Sequence, residues 1–518
     1  MLGLFTWALV ALTPWVQAAI PLVASPYVED SDTAFPSRPG VEPFTLRLGH
    51  DTASVCNSST PGTSGFITSK DRRGGQNSIF FWFFESKHDP ESDPVILWMT
   101  GYGTYLPPLN WTPIDLICLI SSGPGASSVG YGHLMELGPC RIAPEGEYTV
   151  ENPFGWNNNA TLLFVDQPVG VGYSRGEHSS QGLHDASTTM DQFLRQFIVA
   201  FPNLADRDFY IAGESYGGSW VPALATTILQ SQSETSDGAE RIQVQGEGCG
   251  AAPASHDPDN SPRINLKGVM IGNGLIRRSI QNIGFFETVC NEPDSLFNTS
   301  QCLQWAPRAM WCEENLGICE TDGMKSPVCK EAETKCSAIS RVVVEDMHRN
   351  PYDFRQECHD PAACYPEMQH IDEYLNRTDI KQALGVPKDV PFVGISFDVL
   401  EQWDRVGDLW KSSDDYVNYL LKSNIRVLIY VGDKDLYCNS AGMRLLVDRG
   451  LSWDGQPFIR FRELMPWYVG TKAAGRWKSY EPLTYAEISD AGHMSPFDKP
   501  EEALTLINAW IQGGLPSS

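Results

Sequence analysis

The chain is short of positive charge. Its 38 Lys and Arg stand against 64 Asp and Glu, a formal net charge of −26 with a pI near 4.7. A nucleic-acid or anionic-membrane partner calls for a basic face, so neither is expected. Solubility in an acidic compartment and the common acidity of secreted proteins account for the balance equally well. Histidine is scarce, at 10 residues, and no Cys-x2-Cys pair occurs. Structural zinc sites draw on closely spaced soft ligands, so no metal is expected. Internal repeats are missing, and beyond the N-terminus no apolar window is long enough to span a bilayer.

What remains is an ordinary globular composition, 42% hydrophobic and 20% charged. The 518 residues suffice for one large α/β domain with an insertion, or for two or three smaller domains. Residues 1–18 read as a signal peptide: an apolar run ending in Val16-Gln17-Ala18, a small-x-small cleavage pattern, although no Lys or Arg precedes it. Pro14 interrupts the run and argues against an anchor. Asn-x-Ser/Thr sequons begin at Asn57, Asn110, Asn159, Asn298 and Asn376, candidate glycan sites on a secretory route. Thirteen cysteines on that route imply disulfides.

Short apolar β-rich runs recur at Ser78–Phe84, Val95–Met99, Thr161–Asp166, Asp208–Ala212, Lys267–Ile271, Arg426–Val431 and Tyr485–Ser489. Helix-like segments separate several of them, which predicts an α/β sheet with helices on both faces. Residues 277–385 differ. This block is polar, poor in strand signals, and holds eight cysteines, so it reads as a helical, disulfide-stapled cap inserted between sheet strands. The α/β body then comprises 19–276 and 386–518. Ser231–Pro262 is rich in Ser, Gln, Gly and Asp and reads as a surface loop. Pro500 to Ile511 has Pro and acids in its first turn and periodic apolar positions, a helix.

Gly213-Glu214-Ser215-Tyr216-Gly217 follows the apolar run Phe209–Ala212 and precedes a helix-like stretch. A serine between glycines at a strand-to-helix turn is a nucleophile elbow. Serine needs a base to take its proton, and the base needs an orienting group. Val427–Val431 ends in Gly432-Asp433-Lys434-Asp435, and Ile488-Ser489-Asp490-Ala491-Gly492-His493 puts a histidine after a later strand. The order Ser, Asp, His is that of α/β-hydrolases.

With Cys438-Asn439, Met494, Pro496-Phe497-Asp498, Asp166-Gln167-Pro168, Ile271-Gly272-Asn273-Gly274 and Tyr352-Asp353-Phe354-Arg355, these segments resemble the serine carboxypeptidases from about residue 80 to residue 514. The resemblance implies an α/β-hydrolase fold, a mixed central sheet flanked by helices with a disulfide-rich helical cap. It implies Ser215 as nucleophile, His493 as base then acid, and Asp435 as its orienter, with Asp433 the competing acid. The amides of Gly123 and Tyr216 would form the oxyanion hole. Trp98, Thr100, Gly101, Glu136 and Glu214 would bind the substrate's terminal carboxylate, the two glutamates sharing a proton. Cys438 and Met494 would line the leaving-residue pocket. The implied disulfides are Cys290–Cys302, Cys312–Cys336, Cys319–Cys329 and Cys358–Cys364, with Cys56–Cys140 a further candidate and Cys118 and Cys249 unplaced. No cofactor is implied.

The chain departs from the family in three places. Thr100 stands where an Asn is expected, and Ala126 replaces a Cys whose partner is also missing near Ile395. Tyr102 to Ser122 splits the glycine pair of the oxyanion loop, with matching sequence on both sides; a retained intron is suspected, and a genuine insertion that disables or gates the site is the alternative. The leading expectation is a carboxypeptidase releasing C-terminal residues of peptides and proteins through an acyl-enzyme at acidic pH. The rivals are an acyltransferase or esterase on the same triad, and a catalytically impaired binding protein. Vacuolar and secreted fates both fit. Little chain precedes the matching segments, which leaves no room for a long pro-segment and favours secretion.

Overall fold

A computed structural model describes residues 32–60, 62–101, 123–233, 262–322, 326–359 and 364–515. The expected signal peptide, the segment 102–122 with Asn110 and Cys118, and Cys249 lie outside the described residues. One sheet of thirteen strands organises the chain. In chain order these are β1 (Thr33–Phe35), β2 (Phe44–Leu48), β3 (Thr63–Lys70), β4 (Gln76–Phe84), β5 (Val95–Gly101), β6 (Thr161–Val165), β7 (Arg175–Gly176), β8 (Phe209–Ser215), β9 (Leu266–Gly272), β10 (Arg426–Gly432), β11 (Met465–Val469), β12 (Lys472–Tyr480) and β13 (Leu483–Ile488).

The spatial order is β1-β2-β3-β4-β6-β5-β8-β9-β10-β13-β12-β11, with β7 beside β4. The six strands from β6 to β13 run parallel, and the flanks are antiparallel, so the sheet is mixed as expected. Successive strand residues face opposite sides. Ile211, Val269, Ile271, Val427 and Ile429 belong to one core, and Tyr210, Ala212, Met270, Leu428 and Tyr430 to the other. Burial on both faces is why the central strands read as unbroken apolar runs.

Helices α1 (Leu183–Ala200) and α2 (Gly217–Ser233) follow β6 and β8. The start of the predicted loop at Ser231 is thus the last turn of α2; residues 234–261 of that loop lie outside the described residues. Between β9 and β10 come α3 (Arg278–Cys290), α4 (Thr299–Asp322), α5 (Pro327–Cys336), α6 (Pro366–Asn376), α7 (Phe397–Arg405) and α8 (Asp414–Lys422). Ile283, Phe286, Val289, Ile339 and Val343 give this region a small core of its own. Cys290–Cys302, Cys312–Cys336, Cys319–Cys329 and Cys358–Cys364 are all bonded there, and Cys56–Cys140 elsewhere. The helical, disulfide-stapled character read from the cysteine density is therefore present. The chain closes with α9 (Ser440–Leu445) and α10 (Pro500–Ile511). No helix among the described residues is long and apolar enough to cross a membrane. Ala126 and Ile395 pair as an isolated bridge, so the position lacking a cysteine and the segment lacking its partner do lie side by side.

Candidate active site

Ser215 ends β8 with a φ of +62°, a left-handed conformation costly for a residue with a Cβ and characteristic of functional sites. The elbow is held from both sides. Ser215 N–H donates to Asn273 O at 3.2 Å, and Leu275 N–H donates to Ser215 O at 2.6 Å. Space is the reason for Gly213: a Cβ there would sit 2.4 Å from Met99 O on the adjacent β5. Ser215 Oγ is buried and makes no hydrogen bond among the described residues.

Asp435 and His493 follow the C-terminal ends of β10 and β13, two and three strands along the same sheet edge from β8. His493 Nδ1 lies 2.6 Å from Asp435 Oδ2, and both side chains are fully buried. Asp435 also accepts from Asn273 Nδ2 at 2.9 Å, Tyr437 N at 2.9 Å and Cys438 N at 3.3 Å. The histidine is fixed by its backbone too: His493 N–H donates to Tyr352 O at 2.7 Å, and the two rings stand 5.0 Å apart. The preceding Gly492 is required, since a Cβ would meet Tyr352 O at 2.4 Å. Asp433, the competing acid, instead accepts from Asp490 N and lies 3.6 Å from Lys434 Nζ.

Gly101 pairs with Ser215 in register. Its backbone is pressed onto the elbow: a Cβ would lie 2.6 Å from Tyr216 N. The described chain resumes at the buried Gly123, and Gly125, at a φ of +114°, binds Ser396 through its carbonyl at 2.8 Å. Ser127 caps the following π-helix, Ser128–Leu137, a rare winding that recurs at functional sites. Asp166 anchors this turn, accepting from Ser127 Oγ at 2.5 Å, Tyr173 N at 3.0 Å and Val129 N at 3.3 Å. Burial pushes its carboxyl up to about 7 against those three donors.

The π-helix delivers Glu136 to Glu214, whose side chain leaves β8 on the face opposite the residue that follows it. Burial, opposed by the Glu214 carboxyl and by Arg141, raises Glu136 to about 8. Burial and then Glu136 raise Glu214 well above the usual carboxylate range. Beyond Glu136, no donor reaches either Glu214 oxygen among the described residues. Two desolvated carboxyls so placed hold a proton between them. The sequence flagged both but missed their surroundings. Arg141 donates to Glu136 O at 3.0 Å and to Pro496 O at 2.7 Å, tying the π-helix to the histidine loop. Asp498, raised by burial to about 6, accepts from Gly492 N at 2.6 Å. Arg141 gives no signal in sequence, because its role is a backbone contact made across 355 residues.

Trp98 and Thr100 are buried beside each other, and Trp98 Nε1 donates to Thr100 Oγ1 at 2.7 Å. The indole proton is thereby spent on the hydroxyl, which keeps its own proton to donate. Cys438 is buried outside any disulfide, within 4.8 Å of the ligating atoms of Asp435 and His493. Met494 is buried next to the histidine.

A strained serine at a strand-to-helix turn, with its Asp and His on later strand ends of one mixed sheet, defines an α/β-hydrolase. The serine carboxypeptidase family profile matches residues 56–102 and 114–513, and the chain belongs to that family. Carboxypeptidase Y of Schizosaccharomyces pombe is 35% identical over 458 residues, 87% of this chain; the chain spans only 41% of that protein's length. The vacuolar serine-type carboxypeptidase ATG42 of Saccharomyces cerevisiae is 32% identical over 458 residues, covering 87% of this chain and 79% of its own. The crystal structure of Kex1Δp, a prohormone-processing carboxypeptidase from Saccharomyces cerevisiae, superposes with a TM-score of 0.68 at 21% identity, over 90% of this chain and 94% of its own, a likeness of fold. The family match leaves out 103–113, which falls within the sequence segment Tyr102 to Ser122.

Proposed function

We propose that this serine-type carboxypeptidase cleaves the C-terminal residue from peptides and proteins through an acyl-enzyme built on Ser215. The observation that carries the reading is the pairing of a buried His493–Asp435 couple with the adjoining buried carboxyls of Glu136 and Glu214 around one nucleophile elbow. Ser215 Oγ attacks the scissile carbonyl while His493 Nε2 takes its proton. Asp435, bonded to Nδ1, fixes the tautomer and balances the imidazolium. The amides of Tyr216 and Gly123 receive the developing oxyanion. His493 returns the proton to the leaving amino acid, and water then hydrolyses the acyl-enzyme by the same exchange.

The protonated glutamate pair donates to the substrate's terminal carboxylate, with Thr100 Oγ1 as a second donor. A neutral carboxyl beside the bound carboxylate attracts it; an ionised one repels it. Binding of free-carboxylate substrates therefore weakens as pH rises through about 8, where Glu136 loses its proton. Peptidase action is favoured on the acidic side, in a range that extends up to neutrality. Cys438 and Met494 line the leaving-residue pocket. A secretory or vacuolar location is supported by the apolar N-terminus, the disulfides and the vacuolar relative.

A blocked dipeptide, its C-terminal amide and its ester, each assayed with a fluorophosphonate label on Ser215, test this reading. The expected result is labelling at Ser215 and a strong preference for the free carboxylate. Equal turnover of amide and acid would refute the carboxylate clamp, and absence of labelling would refute the triad.

A further inference from the structure

Asn273 is the polar residue on which the catalytic segments meet. It is fully buried just after β9, between the strand that ends in Ser215 and the strand that leads to Asp435, with a φ of +40°. Its backbone N–H donates to Tyr430 O at 2.8 Å, and its backbone carbonyl accepts the Ser215 N–H at 3.2 Å. Its side-chain oxygen accepts from Gly432 N and from Ser495 Oγ, both at 3.0 Å. Its amide nitrogen donates to Asp435 Oδ2 at 2.9 Å and faces Gly492 O at 3.5 Å. Only one amide orientation satisfies this set, because the Gly432 N–H needs an oxygen and the Asp435 carboxylate needs a donor.

We propose that Asn273 is a positioning residue for hydrolysis, setting the His493–Asp435 couple in register with Ser215. Through one side chain it touches the Asp strand, the Asp itself and the loop of the histidine, and through its backbone the nucleophile. Neither an aliphatic residue nor a serine can make these contacts together. An aspartate is isosteric, but it supplies a donor towards Asp435 only while protonated. The ionisable groups around the position are Asp435, which accepts from its amide, His493 behind that carboxylate, Asp498, which holds Gly492, and Glu214, close enough to feel both Asp435 and Asp498.

The test compares N273A and N273D with the wild type on a blocked dipeptide from acidic to mildly alkaline pH, alongside thermal melting and the rate of fluorophosphonate labelling. A misplacement of this kind costs on the order of 100-fold. N273A should lose about that in kcat and in labelling rate, with KM little changed. N273D, taken as a ratio to wild type at each pH, should approach wild-type turnover at acidic pH. It should fall at least about tenfold as the new carboxyl ionises against Asp435. A folded N273A with wild-type kcat would overturn the proposal. So would an N273D whose ratio is flat with pH, because a merely structural defect would not follow the protonation of residue 273.

Discussion

Two buried carboxyl environments in this site are opposites. Asp435 is ringed by four N–H donors, from Asn273, Tyr437, Cys438 and His493. Glu214, on the strand that carries Ser215, has no N–H donor among the described residues and faces the carboxyl of Glu136. The same chemical group accepts from four N–H donors in one place and meets no N–H donor among the described residues in the other, where burial raises its affinity for a proton. In the proposed mechanism one elbow thus serves a base-orienting acid and a carboxylate-binding acid at once.

The sharpest way to break this contrast is to remove the acceptor. D435N should lower kcat on a blocked dipeptide about 10⁴-fold, since an amide cannot hold the imidazole in its working tautomer, while KM changes little. D433N should remain near wild type. The reverse ranking would show that the motif's first acid is the catalytic one.

A smaller effect lies on the proton-holding side. E136Q keeps a donor but cannot ionise. Wild-type KM for a free-carboxylate peptide should rise about tenfold or more on passing above pH 8, and that rise should vanish in E136Q; ester hydrolysis should show no such rise in either. A KM that climbs identically in both proteins would place the titrating group elsewhere.

The same group enters folding. Its folded-state affinity for protons, about 8 against 4.5 for an ordinary glutamate, means that the unfolded chain releases this proton first as pH rises. The contribution to stability is complete below about 4.5 and declines between there and 8, by several kcal/mol at most. The melting temperature of E136Q should fall less over that interval than that of wild type. Equal slopes would mean that Glu136 is not protonated in the folded protein.

The smallest effect concerns the surface. Asn376 spends its amide nitrogen on Asp372 O at 2.9 Å and Phe392 O at 3.1 Å. Asn298 uses only its side-chain oxygen, accepting from Gln301 N at 3.0 Å, and a hydrogen on its nitrogen can be given up to a sugar. Glycopeptide mass spectrometry on protein from a secretory host should find Asn298 occupied and Asn376 bare. Asn159 accepts from Asn508, and Asn57 is exposed; among the described residues neither donates its side-chain amide hydrogens. Full occupancy at Asn376 would contradict this.

Central strands and glycine elbows are legible because their constraints are local. Burial on both faces makes β5, β8, β9 and β10 uniformly apolar, and Gly213 and Gly492 are small where a neighbouring carbonyl stands in the way. The flanking strands β2 and β3 and the hairpin of β11 and β12 escape such reading: β2, β3 and β12 mix polar with apolar residues as loops do, and β11 is short and carries Pro466. Arg141 and Asn273 escape it as functional parts for another reason: each acts through contacts between segments far apart in sequence. The motif Ile271-Gly272-Asn273-Gly274 stood out, but nothing in it says what the amide binds.

Sequence alone set the expectation for the chemistry: a serine, an acid and a base in order at strand ends, and cysteines dense enough to staple a helical insertion, with the paired glutamates implied only by the family resemblance. Residue types and short spacings carry that information, because local backbone geometry and bond-forming capacity are properties of a few neighbouring residues. Tertiary structure alone decided the electrostatics. Whether a carboxyl accepts or holds a proton depends on which distant N–H groups reach it and on how far water is excluded, and both are settled only when the strand ends are brought to one edge of the sheet.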